Sequence, residues 1–252
     1  MEWGEEPDFF GPRHYLRESL ILRSLRHYVP RRSGILDAGS GNGSMSIRIG
    51  KAGYRNIIGI DYSDAFVAYA GNKAKNEKLD DVIQFRKGNL LEMDIESAYF
   101  DAVVSGEVLE HLEDDHRAVK EFQRVLKNGA FCIVTVPAHP HLWDINDEWA
   151  GHFRRYTKIQ LQRLFAENGF EIIRCTYWGF PLIRLFHKFV YLPIVDRKIL
   201  KGKENISREK SALFRILKNE DLHRIGSNIF LFDNLFNFLP FGLGLLLVAK
   251  KR

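Results

Sequence analysis

Between Gly34 and Pro137 the chain alternates short apolar runs with segments of helical spacing, and this alternation constrains the fold more than any other feature. "GILDAG", "NIIGID", "VIQFRKGN", "FDAVVSG" and "AFCIVTVP" are short runs rich in aliphatic and β-branched residues, the composition of buried strands. Between them, Ser44 to Lys51 and "SDAFVAYAGNKAKNE" behind its serine cap keep helical spacing, and so does "EDDHRAVKEFQRVLKNG", with acids in its first turn and a glycine stop. Strands alternating with helices at this spacing predict an α/β, doubly wound, mostly parallel sheet with helices on both faces.

The flanks extend the pattern. Arg13 to Val29 reads as an amphipathic helix, "TKIQLQRLFAENGF" as a helix with a Thr cap and a Gly stop, and "EIIRCTYW" and "LGLLLVAKK" as strands. Residues 179–240, apolar and basic, lie between those two strands and read as a helical insertion. The expectation is one domain over 1–252, with an N-terminal flap and helix at 1–30 and the insertion at 179–240; 252 residues suffice for one sizeable core.

Charge and cysteine content narrow the classes. The net charge of +5 sits in one place: Gly179 to Gly226 holds 11 Lys/Arg against 5 Asp/Glu, leaving 26 against 27 elsewhere. Cys132 and Cys175 fall inside apolar runs and read as small core residues in a reducing compartment. "MEWGEEPDFF" lacks the basic and apolar regions of a secretory signal, and no apolar stretch reaches the roughly 18 residues of a membrane span. A cytoplasmic protein is expected, peripheral at a membrane if the insertion contacts one.

The first run ends in an acid and breaks into alternating glycines, "ILDAGSGNG". A dinucleotide fingerprint wants glycine where Ser44 stands, and a phosphate loop wants a Gly-Lys-Ser/Thr ending that is missing. Asp37 places a carboxylate beside the loop, where it repels pyrophosphate and attracts a cationic ligand. Asp61 ends the next strand roughly 20 residues on, where a carboxylate can accept from ribose hydroxyls. Together they fit a positively charged nucleoside; the competing reading makes Asp37 a loop-capping acid and the glycines a tight turn.

With these residues the sequence resembles the S-adenosylmethionine (SAM)-dependent methyltransferases of the doubly wound class I type, in a type 11/12-like group related to quinone-type O-methyltransferases. "ILDAGSGNG", "IIGIDYS", "FRKGNLLEMD", "FDAVVSGEVLEHLED" and "VLKNGAFCIVTVP" resemble their five motifs in order. The resemblance implies a seven-stranded sheet with an antiparallel last strand, SAM as cofactor and S-adenosylhomocysteine (SAH) as product. It implies that Gly39, Ser40, Gly41 and Gly43 let backbone approach the methionine part, that Asp37 orients the loop, and that Asp61 holds the ribose. By the same carry-over Tyr62 lies beside the adenine, Asn89 accepts from its amino group, Leu90 packs on the ring, and Ser105 and Glu107 face the methyl group.

Methyl transfer asks the protein to align a nucleophile and, for a weak acid, to remove its proton. Glu107, Glu110 and His111 stand at i, i+3 and i+4, where a base or a divalent-metal site could be built, and His111 has the pKa range of a general base. A similar Glu-x-x-Glu-His in the quinone-type enzymes is linked to a metal; the competing reading is that Glu110 and His111 only anchor the turn. After the fifth strand, "AHPHLWDINDEWAGHFRRYT" offers His139, Trp143, His152, Arg155 and Tyr156 to an acceptor, and its paired arginines could grip a carboxylate or phosphate unless they pair inside the loop. The expected reaction is methylation of a small or lipid-like acceptor, at oxygen ahead of nitrogen or carbon. The alternatives are a non-catalytic SAM- or nucleoside-binding protein and an NAD-dependent oxidoreductase. The insertion suits an anionic membrane surface or a packed lid. Nucleic acid is disfavoured, because its basic residues lack aromatic interleaving and the fourth strand lacks the Asn/Asp-Pro-Pro-aromatic sequence of nucleic-acid amino-methyltransferases.

Overall fold

The computed structural model describes residues 12–193 and 228–252. Seven strands form one sheet: β1 (Gly34–Ala38), β2 (Asn56–Asp61), β3 (Ile83–Lys87), β4 (Phe100–Gly106), β5 (Leu126–Pro137), β6 (Phe170–Trp178) and β7 (Gly244–Lys251). Their order is β3-β2-β1-β4-β5-β7-β6. The pairs from β3 to β5 are parallel, and β7 runs antiparallel to both β5 and β6. The doubly wound, mostly parallel sheet with an antiparallel last strand is the expected architecture.

The apolar runs are continuous because both faces of the sheet are buried. Ile35, Ile57, Val104 and Ile133 face one layer, built from α1 (Pro12–Tyr28) and α2 (Ser44–Lys51). Their neighbours Leu36, Ile58, Val103 and Val134 face the other, built from α4 (Asp115–Val125) and α6 (Lys158–Glu167). α3 (Asp64–Asn76) sits beside β2 and β3. Ser63 caps α3 by accepting from Phe66 N, and Thr157 and Gln160 form a capping box on α6. Cys132 and Cys175 are buried free thiols whose pKa values burial pushes up, as expected of core residues.

Two details differ from the sequence reading. α4 ends at Val125 rather than at Gly129, because Leu126 is already extended, pairs with Phe100 of β4 and buries its side chain. The insertion is helical only in short pieces where described: α7 (Leu182–Phe186), a π-type turn at His187–Tyr191 and a 3-10 turn at Leu231–Phe236. The rest of the expected insertion, 194–227, and the flap residues 1–11 lie outside the described residues. Among the described residues no helix is long and apolar enough to cross a membrane.

The strand order reverses at β1, which has β2 on one side and β4 on the other. The carboxyl ends of β1 and β4 flank this switch point, the position where open α/β sheets bind ligands.

Candidate cofactor and acceptor site

The glycine loop follows β1 at that switch point. Gly39 N and Ser40 N both donate to Ile60 O at 2.9 Å, and Gly41 N donates to Asp61 Oδ2 at 2.8 Å. Asp61 Oδ1 accepts from Ser63 N at 3.0 Å, so the carboxylate that ends β2 fixes the loop and retains lone pairs for two further donors. Gly39 and Gly41 take left-handed backbone, with φ +77° and +50°. A β-carbon at Gly41 would meet nothing within 4 Å, so the loop presents bare backbone to open space. The buried Ser40 Oγ has no hydrogen-bond partner among the described residues. Backbone open to close approach, an orphaned hydroxyl and a carboxylate at the ribose position are a set that fits SAM.

Asp37 takes a different part from the one charge alone suggests. It is buried and accepts from Ser46 Oγ at 2.6 Å, so it ties β1 to α2. Burial, with Glu18 and Asp61 nearby, pushes its pKa up to about 7, despite the Ser46 hydrogen bond. Glu18, in mid-α1, is the deeper negative charge: burial alone would push its pKa up, but His14 and Arg48 hold it far below the usual range. Ser44 at the start of α2 also donates to Glu18, which stitches α1 to the residue just after the loop.

The remaining cofactor candidates spread around the loop. Tyr62 is 78% exposed at the rim. Asn89 Oδ1 accepts from Leu91 N at 3.0 Å, within its own turn, and Leu90 is buried in the core layer that faces α4 and α6. Ser105 is fully buried and donates to Ala38 O at 2.9 Å, bracing the ends of β1 and β4.

The turn after β4 gathers several titratable side chains. Glu107 has φ +59°, a left-handed conformation that costs a non-glycine residue on the order of 1 kcal/mol or more. Its Oε2 accepts from Arg13 Nη2 at 2.8 Å; burial pushes its pKa up, but Arg13, Arg17 and His152 together bring it below the ordinary carboxylate range. Arg13, in α1, is a site residue that no local motif signals, because its partner is 94 positions away. Glu110 is fully buried, and neither carboxyl oxygen has a hydrogen-bond partner among the described residues. Burial and the nearby Glu107 charge keep its pKa well above the usual range, so Glu110 is a neutral acid.

His111 meets His152 edge to face, with ring centroids 4.5 Å apart. Burial and His152 bring the His111 pKa down to about 4, which keeps it neutral near physiological pH. His152 Nδ1 lies 2.7 Å from Asp147 Oδ1. Donor atoms of Glu110, His111 and His152 all lie within 4.8 Å of one another, so one cation could bridge them; Glu107 is instead engaged by Arg13.

The aromatic and basic stretch after β5 folds back on itself through α5 (Ile145–Ala150). Arg155 Nε lies 2.9 and 2.8 Å from the two Asp147 oxygens, and its Nη2 reaches Asp144 at 3.2 Å. Arg154 pairs with Asp115 at 2.8 Å, and Tyr156 Oη donates to the same carboxylate at 2.7 Å. The paired arginines and Tyr156 thus bind carboxylates of this loop and α4. His139 stacks on Tyr177 with centroids 5.0 Å apart, and Trp143 is 39% exposed. His152 alone of these five candidates joins Glu110 and His111 in one cluster.

Comparison with known proteins agrees with this geometry. The family described as "Methyltransferase domain" matches residues 36–134, from β1 through most of β5. A Mycolicibacterium smegmatis protein described as "Probable S-adenosylmethionine-dependent methyltransferase" is 31% identical over 160 residues, 63% of this chain and 59% of that protein. A demethylmenaquinone methyltransferase of Lactiplantibacillus plantarum is 26% identical over 158 residues, 62% of this chain and 65% of that one. The matched segments span between about two fifths and two thirds of the length of the curated relatives. The crystal structure of the [4+2]-cyclase SpnF superposes with a TM-score of 0.67 at 20% identity, covering 98% of this chain and 85% of that one, a likeness of fold alone. Five ordered motifs, the sheet order and the loop geometry agree with the matched domain, so residues 36–134 resemble the SAM-dependent methyltransferases and the sheet has their class I fold.

Proposed function

We propose that the chain transfers a methyl group from SAM to a small amphiphilic acceptor, and that the acceptor atom is oxygen rather than nitrogen or carbon. The observation that carries this reading is the contact between the two halves of the site. Val108, between Glu107 and the Glu110–His111 turn, packs directly on Gly39 of the glycine loop. A titratable cluster therefore sits against the backbone that would hold the methionine end.

The cofactor, when bound, supplies a methyl group already activated by sulfonium. Gly39, Ser40, Gly41 and Asp61 bind and orient it. Arg13 fixes Glu107 at the rim of the acceptor space, and Glu110, held neutral, can donate a hydrogen bond. His152 is oriented by Asp147 through Nδ1, which leaves Nε2 to take the proton of an acceptor hydroxyl. The oxygen so freed would be the nucleophile for that methyl group, with SAH as the leaving product. Nitrogen acceptors with a free lone pair need no such base, and this favours oxygen. An amphiphilic acceptor agrees with a relative named for demethylmenaquinone.

The test incubates the full chain with SAM and a panel of detergent-dispersed phenols, alcohols and amines, with SAH and the methylated products read by mass spectrometry. O-methylated product from a phenol or alcohol, abolished by His152→Gln with SAH affinity retained, is the expected result. Tight SAM binding with no transfer to any member overturns the reading in favour of a non-catalytic SAM-binding protein.

A further inference from the structure

α7 with the following turn, and the stretch 228–241, form one surface. Asp233 is fully buried, and its carboxylate accepts from Leu182 N at 2.8 Å and Ile183 N at 2.9 Å. Arg184 Nη1 donates to Phe241 O at 3.0 Å, and Phe186 meets Phe230 edge-on at 5.7 Å. The two stretches are thereby locked together, yet their outward side chains are apolar. Phe238 is 79% exposed, Ile229 66%, Phe189 and Leu235 65%. Nine of the sixteen exposed large apolar residues found among the described residues belong to these two short stretches, which makes a patch rather than a scatter.

The charges on this patch have one sign. Lys188 is exposed and Arg184 partly so, whereas Asp233, the one acid in 179–193 and 228–241, is buried. The sequence joining the stretches, 194–227, holds nine Lys/Arg against five Asp/Glu. A second protein surface would answer exposed phenylalanines with shape and cations with acids; an anionic bilayer answers both at once, with acyl chains for the rings and phosphates for the cations. We propose that this surface docks on an anionic phospholipid bilayer, with Phe189, Ile229, Leu235 and Phe238 in the headgroup–acyl boundary and Lys188 and Arg184 at the phosphates.

The inward side of the same element reaches the acceptor site. His187 Nε2 lies 3.0 Å from Asp144 Oδ2, and Tyr191 Oη donates to Asn146 Oδ1 at 2.9 Å. Asp144 caps α5, the helix that carries Asp147 and so orients His152. On the reading above of an amphiphilic acceptor, this places the docking surface on the element that is linked through His187, Asp144 and Asp147 to the base His152.

The experiment is co-sedimentation of the full chain with vesicles of phosphatidylcholine alone and of phosphatidylcholine mixed equally with phosphatidylglycerol, at low and high salt. The expected result is binding to the anionic vesicles, weakened by salt. Phe189→Ser with Phe238→Ser should weaken it about ten-fold or more, since each ring buried contributes that order of affinity, and Lys188→Glu should weaken it further. SAH binding, measured calorimetrically, should be unchanged in all variants, which keeps folding and cofactor binding separate from docking. No binding to anionic vesicles, or binding indifferent to the two phenylalanines, overturns the proposal. A wild-type dimer that becomes monomeric in the phenylalanine variant, without vesicle binding, assigns the patch to a second copy instead. Vesicle binding without methyl transfer would leave the docking surface standing and remove only the methyl-transfer reading.

Discussion

Val108 covers Gly39 so closely that a β-carbon on Gly39 would lie 2.4 Å from Val108 Cγ2. The glycine loop and the acceptor turn therefore have one permitted spacing. Gly39→Ala must push the turn away or unwind the loop, on top of the strain of φ +77°. Gly41→Ala meets no neighbour and carries only the backbone strain, about 1 kcal/mol. Titration calorimetry with SAH should show a loss of at least roughly ten-fold for Gly39→Ala, several times larger than for Gly41→Ala. Equal losses would mean that backbone conformation, not the Val108 contact, sets the loop.

Asp147 is the hub of the loop after β5. It accepts from His152 and takes Arg155 at 2.6 Å, with the Arg155 side chain only 2% exposed. Burial alone would push the Asp147 pKa up, but His152 and Arg155 hold it far below the usual carboxylate range. Asp147→Asn leaves a buried guanidinium with Asp144 as its remaining acid partner in this network, and should cost about 3 kcal/mol by urea unfolding near neutral pH. A carboxylate depressed in the folded state contributes stability above its unfolded pKa, and that contribution is lost as the pH falls through the folded value. The gap between wild type and variant should therefore narrow as the medium is acidified below about pH 4.

Much of this was legible in the chain. β2 and β4 begin and end where the sequence runs do, because their central residues are buried on both faces and so read as continuous apolar stretches. The cofactor loop was equally plain, since left-handed backbone and close approach leave few residues but glycine. Side-chain pairing was not. Arg13 finds Glu107 across 94 positions, and only the packing of α1 on the sheet brings them together. Arg155 reads as a ligand grip in a dense polar stretch, yet it turns inward because Asp147, eight positions away, is the nearer buried carboxylate. The end of α4 departs from its local signal for a related reason. Leu126 to Asn128 suits a helix locally, but pairing of Leu126 with Phe100 gains more than another turn of helix would.

Asp37 gives a stability profile opposite in sign to that of Asp147. Its folded pKa of about 7 lies above the unfolded value near 4, so between those values the native state binds more protons than the unfolded chain. Stability from this group therefore falls as pH rises from about 4 to about 7, by up to about 1.4 kcal/mol for each pH unit. Asp37→Asn keeps an acceptor for Ser46 Oγ and removes the ionisation. The variant should gain on the wild type steadily across that window in urea midpoints, then hold a constant margin above it. Parallel pH profiles would mean that Asp37 is not a buried acid.

Asp233 closes the last element of the insertion by satisfying two backbone N–H groups, of Leu182 and Ile183. Asp233→Ala leaves both amides buried without an acceptor, which should cost about 2 kcal/mol and release the Leu231–Phe236 turn from α7. Hydrogen exchange should locate the effect. The amides of Leu182 and Ile183 should exchange faster by at least roughly ten-fold, while those of β4 and β5 keep their protection. Because His187 and Tyr191 continue the same segment onto Asp144 and Asn146, the loosening should spread to the start of α5 and no further. Protection lost equally through β4 and β5 would instead show that the insertion and the sheet unfold as one unit.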